Sequence, residues 1–171
     1  SENKVIKVSD LGCVGISGIS TTMHGTSVYR ALEGFRTPPE FFPESDIYSL
    51  AILVYALFAK TTPYADARTD KELSRLKKQK TFVRIKCKEL NLPDDVIDVL
   101  AKATMPDYNE RFHSVNEFVG ALRSTSSNFA VNGRTQARVA EQQFQGLYEN
   151  LIDALSRGYG KYGLTAFEDI D

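Results

Sequence analysis

Hydrophobic positions along this chain change their period several times, and each change predicts an element. Val5, Ile6 and Val8 around Lys7 predict a short strand, which Asp10 and Gly12 end. Residues 13–28 are rich in Gly, Ser and Thr without a sustained period and predict a long loop. Thr37-Pro38-Pro39 and Pro43 argue against a regular helix over 34–45, because proline lacks an amide proton and restricts the residue before it. From 47 to 59 every residue except Ser49 is apolar. A helix there, rising about 1.5 Å per residue, is too short to cross a bilayer. Being apolar on all sides, it is predicted to be a core helix buried on every face. Asp46 is placed to cap its first turn by accepting bonds from unpaired amides, and Thr62-Pro63 ends it.

Further along, residues 69–80 predict a helix with Leu73 and Leu76 on one face. Pro93-Asp94-Asp95 opens another, whose apolar face is Val96, Ile97, Leu100 and Ala101. Ser114 is a capping candidate with Glu117 as its capping-box partner, and Phe118, Val119 and Leu122 form the buried side that follows. Residues 124–134 read as a linker. Beyond it Ala140, Phe144, Leu147, Tyr148, Leu151, Ile152 and Leu155 fall on one helical stripe that ends near Gly158, followed by a loosely held tail. No internal repeat is visible. The expected architecture is mainly α with a short β-strand near the start: a helical segment over 1–123, the linker, and a helical extension with its tail over 135–171.

With 171 residues, the chain can form one domain with a sizeable core. Its net charge of −1 gives no global field to recruit nucleic acid or an anionic membrane. Cys13 and Cys87 lie far apart and match no metal-ligand spacing, so two reduced thiols in a cytoplasmic protein are expected. The opening Ser1-Glu2-Asn3-Lys4 lacks the apolar core of a signal peptide, and lacks an initiator methionine as a processed or excised segment would. His24 and His113 have no companion at ligand or dyad spacing. The basic residues Lys71, Arg75, Lys77, Lys78, Lys80, Arg84, Lys86 and Lys88 read as a solvated helix face and the loop after it, or as a docking surface for an acidic partner. Phe82 alone interrupts them with an aromatic ring, which argues against nucleic acid.

Four short motifs change this picture. Asp10-Leu11-Gly12 is followed by Gly25-Thr26-Ser27-Val28-Tyr29-Arg30-Ala31-Leu32-Glu33, by Ser45-Asp46-Ile47-Tyr48-Ser49-Leu50, and by Glu110-Arg111-Phe112. In that order, over about residues 4–123, the chain resembles the carboxy-terminal lobe of a eukaryotic-type (Hanks-type) Ser/Thr protein kinase catalytic domain. The ending Arg111-Phe112-His113-Ser114 and the final amphipathic stripe most resemble bacterial members.

The resemblance implies roles. Asp10 stands where the family holds Mg²⁺ against the phosphates of ATP, with Leu11 in place of the usual Phe. Gly25, Thr26 and Tyr29 match the substrate platform, and the Thr implies hydroxyl substrates. Thr21 and Thr22 are phosphosite candidates in the activation segment, with Ser17 and Ser20 nearby. Glu33 would form the family's buried ion pair with Arg111, although Leu32 replaces the proline of Ala-Pro-Glu. Asp46 would, besides capping its helix, bond to the backbone of a catalytic loop.

No glycine-rich phosphate loop, strand lysine or His-Arg-Asp motif accompanies these residues. The expectation is therefore a kinase segment that is inactive alone and needs a nucleotide-binding lobe, from the same gene or another chain, before Mg²⁺ and ATP can act. No cofactor is expected for the isolated chain. The alternative is a non-catalytic, pseudokinase-like interaction module. In either case the expected partners are a protein partner or substrate, a missing lobe, or a second copy, with no nucleic acid and no membrane. The stripe from Ala140 to Leu155 would cover apolar surface of the helical lobe.

Overall fold

The computed structural model describes residues 26–129. Five helices follow one another: α1 (Pro43–Ala59), α2 (Asp70–Lys77), α3 (Phe82–Glu89), α4 (Asp94–Ala103) and α5 (Val115–Phe129). Short 3₁₀ turns occupy Leu32–Phe35 and Tyr108–Glu110. No strand occurs among the described residues. The strand expected over 5–8, most of the glycine-rich loop and the stripe from Ala140 to Leu155 lie outside them. Residues 26–118 belong to one compact unit, and the remainder of α5 belongs to another.

α1 is the centre of the first unit. It begins earlier than its apolar run suggested, at Pro43, whose missing amide proton is no loss at the first helical position. Phe42 is the N-cap residue, and the Ser45 hydroxyl turns back to accept its N–H at 3.0 Å. Asp46 therefore lies one turn inside the helix and does not cap it. Ile47, Tyr48, Ala51, Ile52, Val54 and Tyr55 are buried, but Leu53 and Leu57 are 38% and 40% exposed. Burial on every face, expected from composition alone, is thus not reached: one stripe of α1 meets water. The helix ends where Lys60 takes the left-handed conformation, at φ 55°.

α4 packs against both α1 and α3. It buries Val96, Ile97, Leu100, Ala101 and Ala103, the stripe that a period of 3.6 demands. α3 stands where the basic run suggests a loop. Its buried side is only Val83 and Cys87, four positions apart, and Arg84 and Lys86 between them hide that period. α2 is capped by Thr69, whose hydroxyl accepts the Glu72 N–H at 3.2 Å.

At the start of α5 the Ser114 hydroxyl accepts the Glu117 N–H at 3.1 Å, and the Glu117 carboxylate accepts the His113 N–H at 3.0 Å. Two amides left without helical partners are satisfied. Ser114→Ala is expected to cost about 1 kcal/mol, read as a lower urea midpoint, with Ser114→Asp near wild type. The linker placed at 124–134 begins instead as helix, because α5 continues to Phe129. The Ser124 and Thr125 hydroxyls bond back to the carbonyls of Gly120 and Leu122, at 2.9 and 2.7 Å. These polar residues satisfy themselves on the helix backbone and need not interrupt it.

Candidate functional site

The site is a turn held from below. Tyr29 N–H donates to the Thr26 carbonyl at 3.1 Å and Arg30 N–H to the Ser27 carbonyl at 3.3 Å, which folds residues 26–30 into consecutive turns. The 3₁₀ turn Leu32–Phe35 follows and carries Glu33 into the protein, where it is 1% exposed. Gly34 is needed at this point. A side chain there would place Cβ 2.7 Å from Arg30 Cγ and 2.9 Å from a Phe41 ring carbon.

Glu33 meets Arg111, itself 1% exposed, in a two-pronged pair with Nη1–Oε1 at 2.8 Å and Nη2–Oε2 at 2.9 Å. Oε1 also accepts the Ser45 hydroxyl at 2.6 Å. The other guanidinium protons go to backbone carbonyls: Nε to Met105 at 2.8 Å, Nη1 to Glu44 at 3.0 Å and Nη2 to Pro106 at 3.3 Å. All five N–H donors of an arginine are thereby used, which is the condition for a buried ion pair to hold. Burial alone would raise the Glu33 pKa, but the Arg111 bonds and charge, with the Ser45 hydroxyl, hold it below the ordinary value. The face of the Tyr48 ring lies 5.0 Å from the guanidinium carbon.

A second buried cation also lies against the Tyr48 ring. Lys77 of α2 is 2% exposed and donates to the carbonyls of Ser27 at 3.0 Å, Val28 at 2.9 Å, and Arg30. Its ammonium is 5.3, 5.2 and 4.8 Å from the ring centres of Phe35, Tyr48 and Tyr64. Burial, then the nearby Arg30 charge, push its pKa down to about 7. Three simultaneous acceptors and three ring faces favour the charged form in return. Beneath it the hydroxyls of Tyr48 and Tyr64 share a hydrogen bond of 2.7 Å. Desolvation raises both phenol pKa values.

Of the residues singled out in the sequence, the structure brings Thr26, Tyr29, Glu33 and Arg111 to one region. Thr26 is exposed and Tyr29 half-buried. Asp46 is exposed as a residue on α1, yet desolvation of its carboxylate raises its pKa. Asp10, Thr21, Thr22 and Gly25 lie outside them. The basic run divides between α2, the turn after it and α3. Lys80 pairs with Glu110 at 2.7 Å, Arg84 with Asp98 at 2.7 Å and Lys86 with Glu89 at 2.9 Å, while Lys77 is not on a solvated face at all.

Sequence reasoning missed Lys77, Ser45, Ser49 and the tyrosine pair. A signal for Lys77 existed: it follows Leu73 by four positions and so shares the buried face of α2.

No group of three or more His, Cys, Asp or Glu that could hold a metal occurs among the described residues. A cavity of about 220 Å³ between Tyr64, Leu76 and Phe82, with Asp66, Glu72 and Lys86 in its lining, is smaller than the roughly 300–1,000 Å³ of ligand pockets.

This arrangement, a turn tied to a helical lobe by a glutamate at the end of its segment and an arginine far along the chain, defines a protein kinase lobe. Residues 1–125 match the family model of the protein kinase domain, and the chain belongs to that family. It is 24% identical over 151 residues to a probable serine/threonine-protein kinase of Clostridium perfringens, covering 84% of this chain and 22% of that protein. It is 31% identical over 120 residues to testis-specific serine/threonine-protein kinase 2 of Mus musculus, covering 63% of this chain and 32% of that one. The chain thus spans about a fifth to a third of the length of these relatives. No solved structure gives a significant match.

Proposed function

We propose that this chain supplies the carboxy-terminal lobe of a Ser/Thr protein kinase, with the substrate platform at Gly25, Thr26 and Tyr29, and that it transfers no phosphate by itself. The observation that carries this reading is the buried Glu33–Arg111 pair, which anchors the turn at 26–30 to the helices. Both named relatives are serine/threonine-protein kinases by description, which supports hydroxyl substrates.

In this reading Asp10 is a carboxylate that would hold Mg²⁺, whose charge serves phosphoryl transfer when the ion and ATP are bound. The chain's own described residues orient the acceptor. Thr26 presents a hydroxyl at the exposed start of the turn, and Glu33 and Arg111 keep that turn from collapsing. Phosphate on Thr21 or Thr22 would add negative charge that a basic partner could use to order the segment.

Phosphate clamps, a catalytic base and a second metal ligand are not among the motifs of these 171 residues. ATP and Mg²⁺ would act only with a nucleotide-binding lobe, from the same gene or a second chain. A cytoplasmic setting fits Cys87, a buried free thiol whose pKa burial pushes up to about 12. Among the described residues no helix is long and apolar enough to cross a membrane.

Incubating the 171-residue chain with radiolabelled ATP, Mg²⁺ and a generic protein substrate is expected to give no turnover above background. Turnover that disappears in Asp10→Ala would overturn the inactive reading. A non-catalytic interaction module is the second reading, and the exposed Leu53 and Leu57, one turn apart on α1, favour it. A nucleotide-binding lobe supplied in trans distinguishes the two: restored transfer excludes the module, and stable association without transfer supports it.

A further inference from the structure

The carbonyls of residues 27–30 are all taken by side chains. Lys77 accepts none and donates to three of them, at Ser27, Val28 and Arg30. The remaining one, of Tyr29, lies 3.0 Å from the Ser49 hydroxyl of α1, whose single proton it shares with the Ser45 carbonyl at 3.1 Å. Backbone acceptors in successive turns normally point to water or to other backbone groups. Here one ammonium and one hydroxyl, from two different helices, set the direction of four consecutive peptide planes. The ammonium is in turn located by the faces of Phe35, Tyr48 and Tyr64, so it has little freedom to follow the turn if the turn moves.

We propose that Lys77 is the positioning residue of the substrate platform: reaching from α2, it orients the backbone of residues 27–30 so that the platform is held in its receiving shape by side chains of this lobe alone. The proposal rests on reading Thr26 and Tyr29 as substrate-facing, and it deepens that reading by naming what shapes the surface. An ordinary packing role would require a stem of the right length. A positioning role requires the three N–H donors, which lysine directs tetrahedrally and the planar fork of arginine cannot direct to the same three oxygens.

Backbone hydrogen exchange in the 171-residue chain tests this directly. Lys77→Met keeps the apolar stem and removes the donors. In that variant the Tyr29 and Arg30 amides are expected to exchange roughly tenfold faster or more, while amides in the middle of α4 keep their wild-type rates. Ser49→Ala frees, of the four platform carbonyls, the one of Tyr29, besides a contact with the Ser45 carbonyl inside α1, and should accelerate the same two amides by a smaller factor. Wild-type protein supplies a reading that does not depend on any variant folding. A bonded ammonium over three rings should give a slowly exchanging, ring-shifted Nζ signal in nitrogen-detected spectra. Unchanged exchange at Tyr29 and Arg30 in Lys77→Met, a uniform acceleration that includes α4, or no such Nζ signal in the wild type would each overturn the proposal. Binding of a degenerate Ser/Thr peptide library, followed by fluorescence anisotropy, is the separate arm for the substrate reading. Its absence in wild type counts against that reading, whereas the exchange pattern decides the role of Lys77.

Discussion

Glu33→Ala and Arg111→Ala are each expected to destabilise the protein by about 3–5 kcal/mol, and the double variant by much less than their sum. The reason is the completeness of the pair. Each partner is 1% exposed, and Arg111 spends all its donors on Glu33 and on three backbone carbonyls. Removing Glu33 leaves a buried guanidinium with two donors unpaired and no counter-charge. Removing Arg111 leaves a buried carboxylate whose remaining partner is the Ser45 hydroxyl. Once one is gone, the other is a liability, so its removal recovers part of the loss. Urea titrations of the four proteins measure the coupling, and additive losses would show that the pair is not energetically linked.

The same pair sets a pH dependence. The folded-state pKa of Glu33 is lowered from its ordinary 4.5. The stabilisation is therefore fully present above about 4.5 and is lost as pH falls through the depressed folded value. The stability gap between wild type and Glu33→Gln should be constant near neutrality and shrink in acid.

Tyr48→Ala is expected to cost about 3–5 kcal/mol, the range for removing a fully buried aromatic side chain. Tyr48 is 0% exposed, and its ring serves both buried cations, with Arg111 at 5.0 Å and Lys77 at 5.2 Å. Its hydroxyl bonds Tyr64, which is 2% exposed and has no water to turn to. Tyr48→Phe keeps the ring and removes only that bond, so about 1–3 kcal/mol is expected from the stranded Tyr64 hydroxyl. Adding Tyr64→Phe should then recover most of the smaller loss, because no buried hydroxyl remains. Thermal or urea unfolding of the three variants checks the order. A Tyr48→Phe effect as large as that of Tyr48→Ala would mean that the hydrogen bond, and not the ring, carries the site.

Much of the helical lobe was legible because its signals are local. The α4 stripe and the Ser114–Glu117 cap each depend on residues within a few positions, where backbone periodicity dictates who meets whom. Glu33 and Arg111 were legible for a different reason, since their motifs carry a resemblance that spans the chain. The start of α1 was misplaced because Pro43 was read as a breaker when it is a first-turn residue. α3 was hidden by lysines around its two buried positions.

By itself the sequence determined the helices α1, α2, α4 and the first part of α5, and the Ser114 cap of α5, because these follow from spacing and from short-range hydrogen bonding, while its motif set pointed to Glu33 and Arg111 as partners. Only the tertiary structure decided which lysine of a basic run is buried, which rings surround it and whose carbonyls it holds. Lys77 and its acceptors lie 47 to 50 positions apart. At that separation no period connects them, and an ammonium leaves water only where the packed fold offers it enough acceptors and ring faces to replace its hydration.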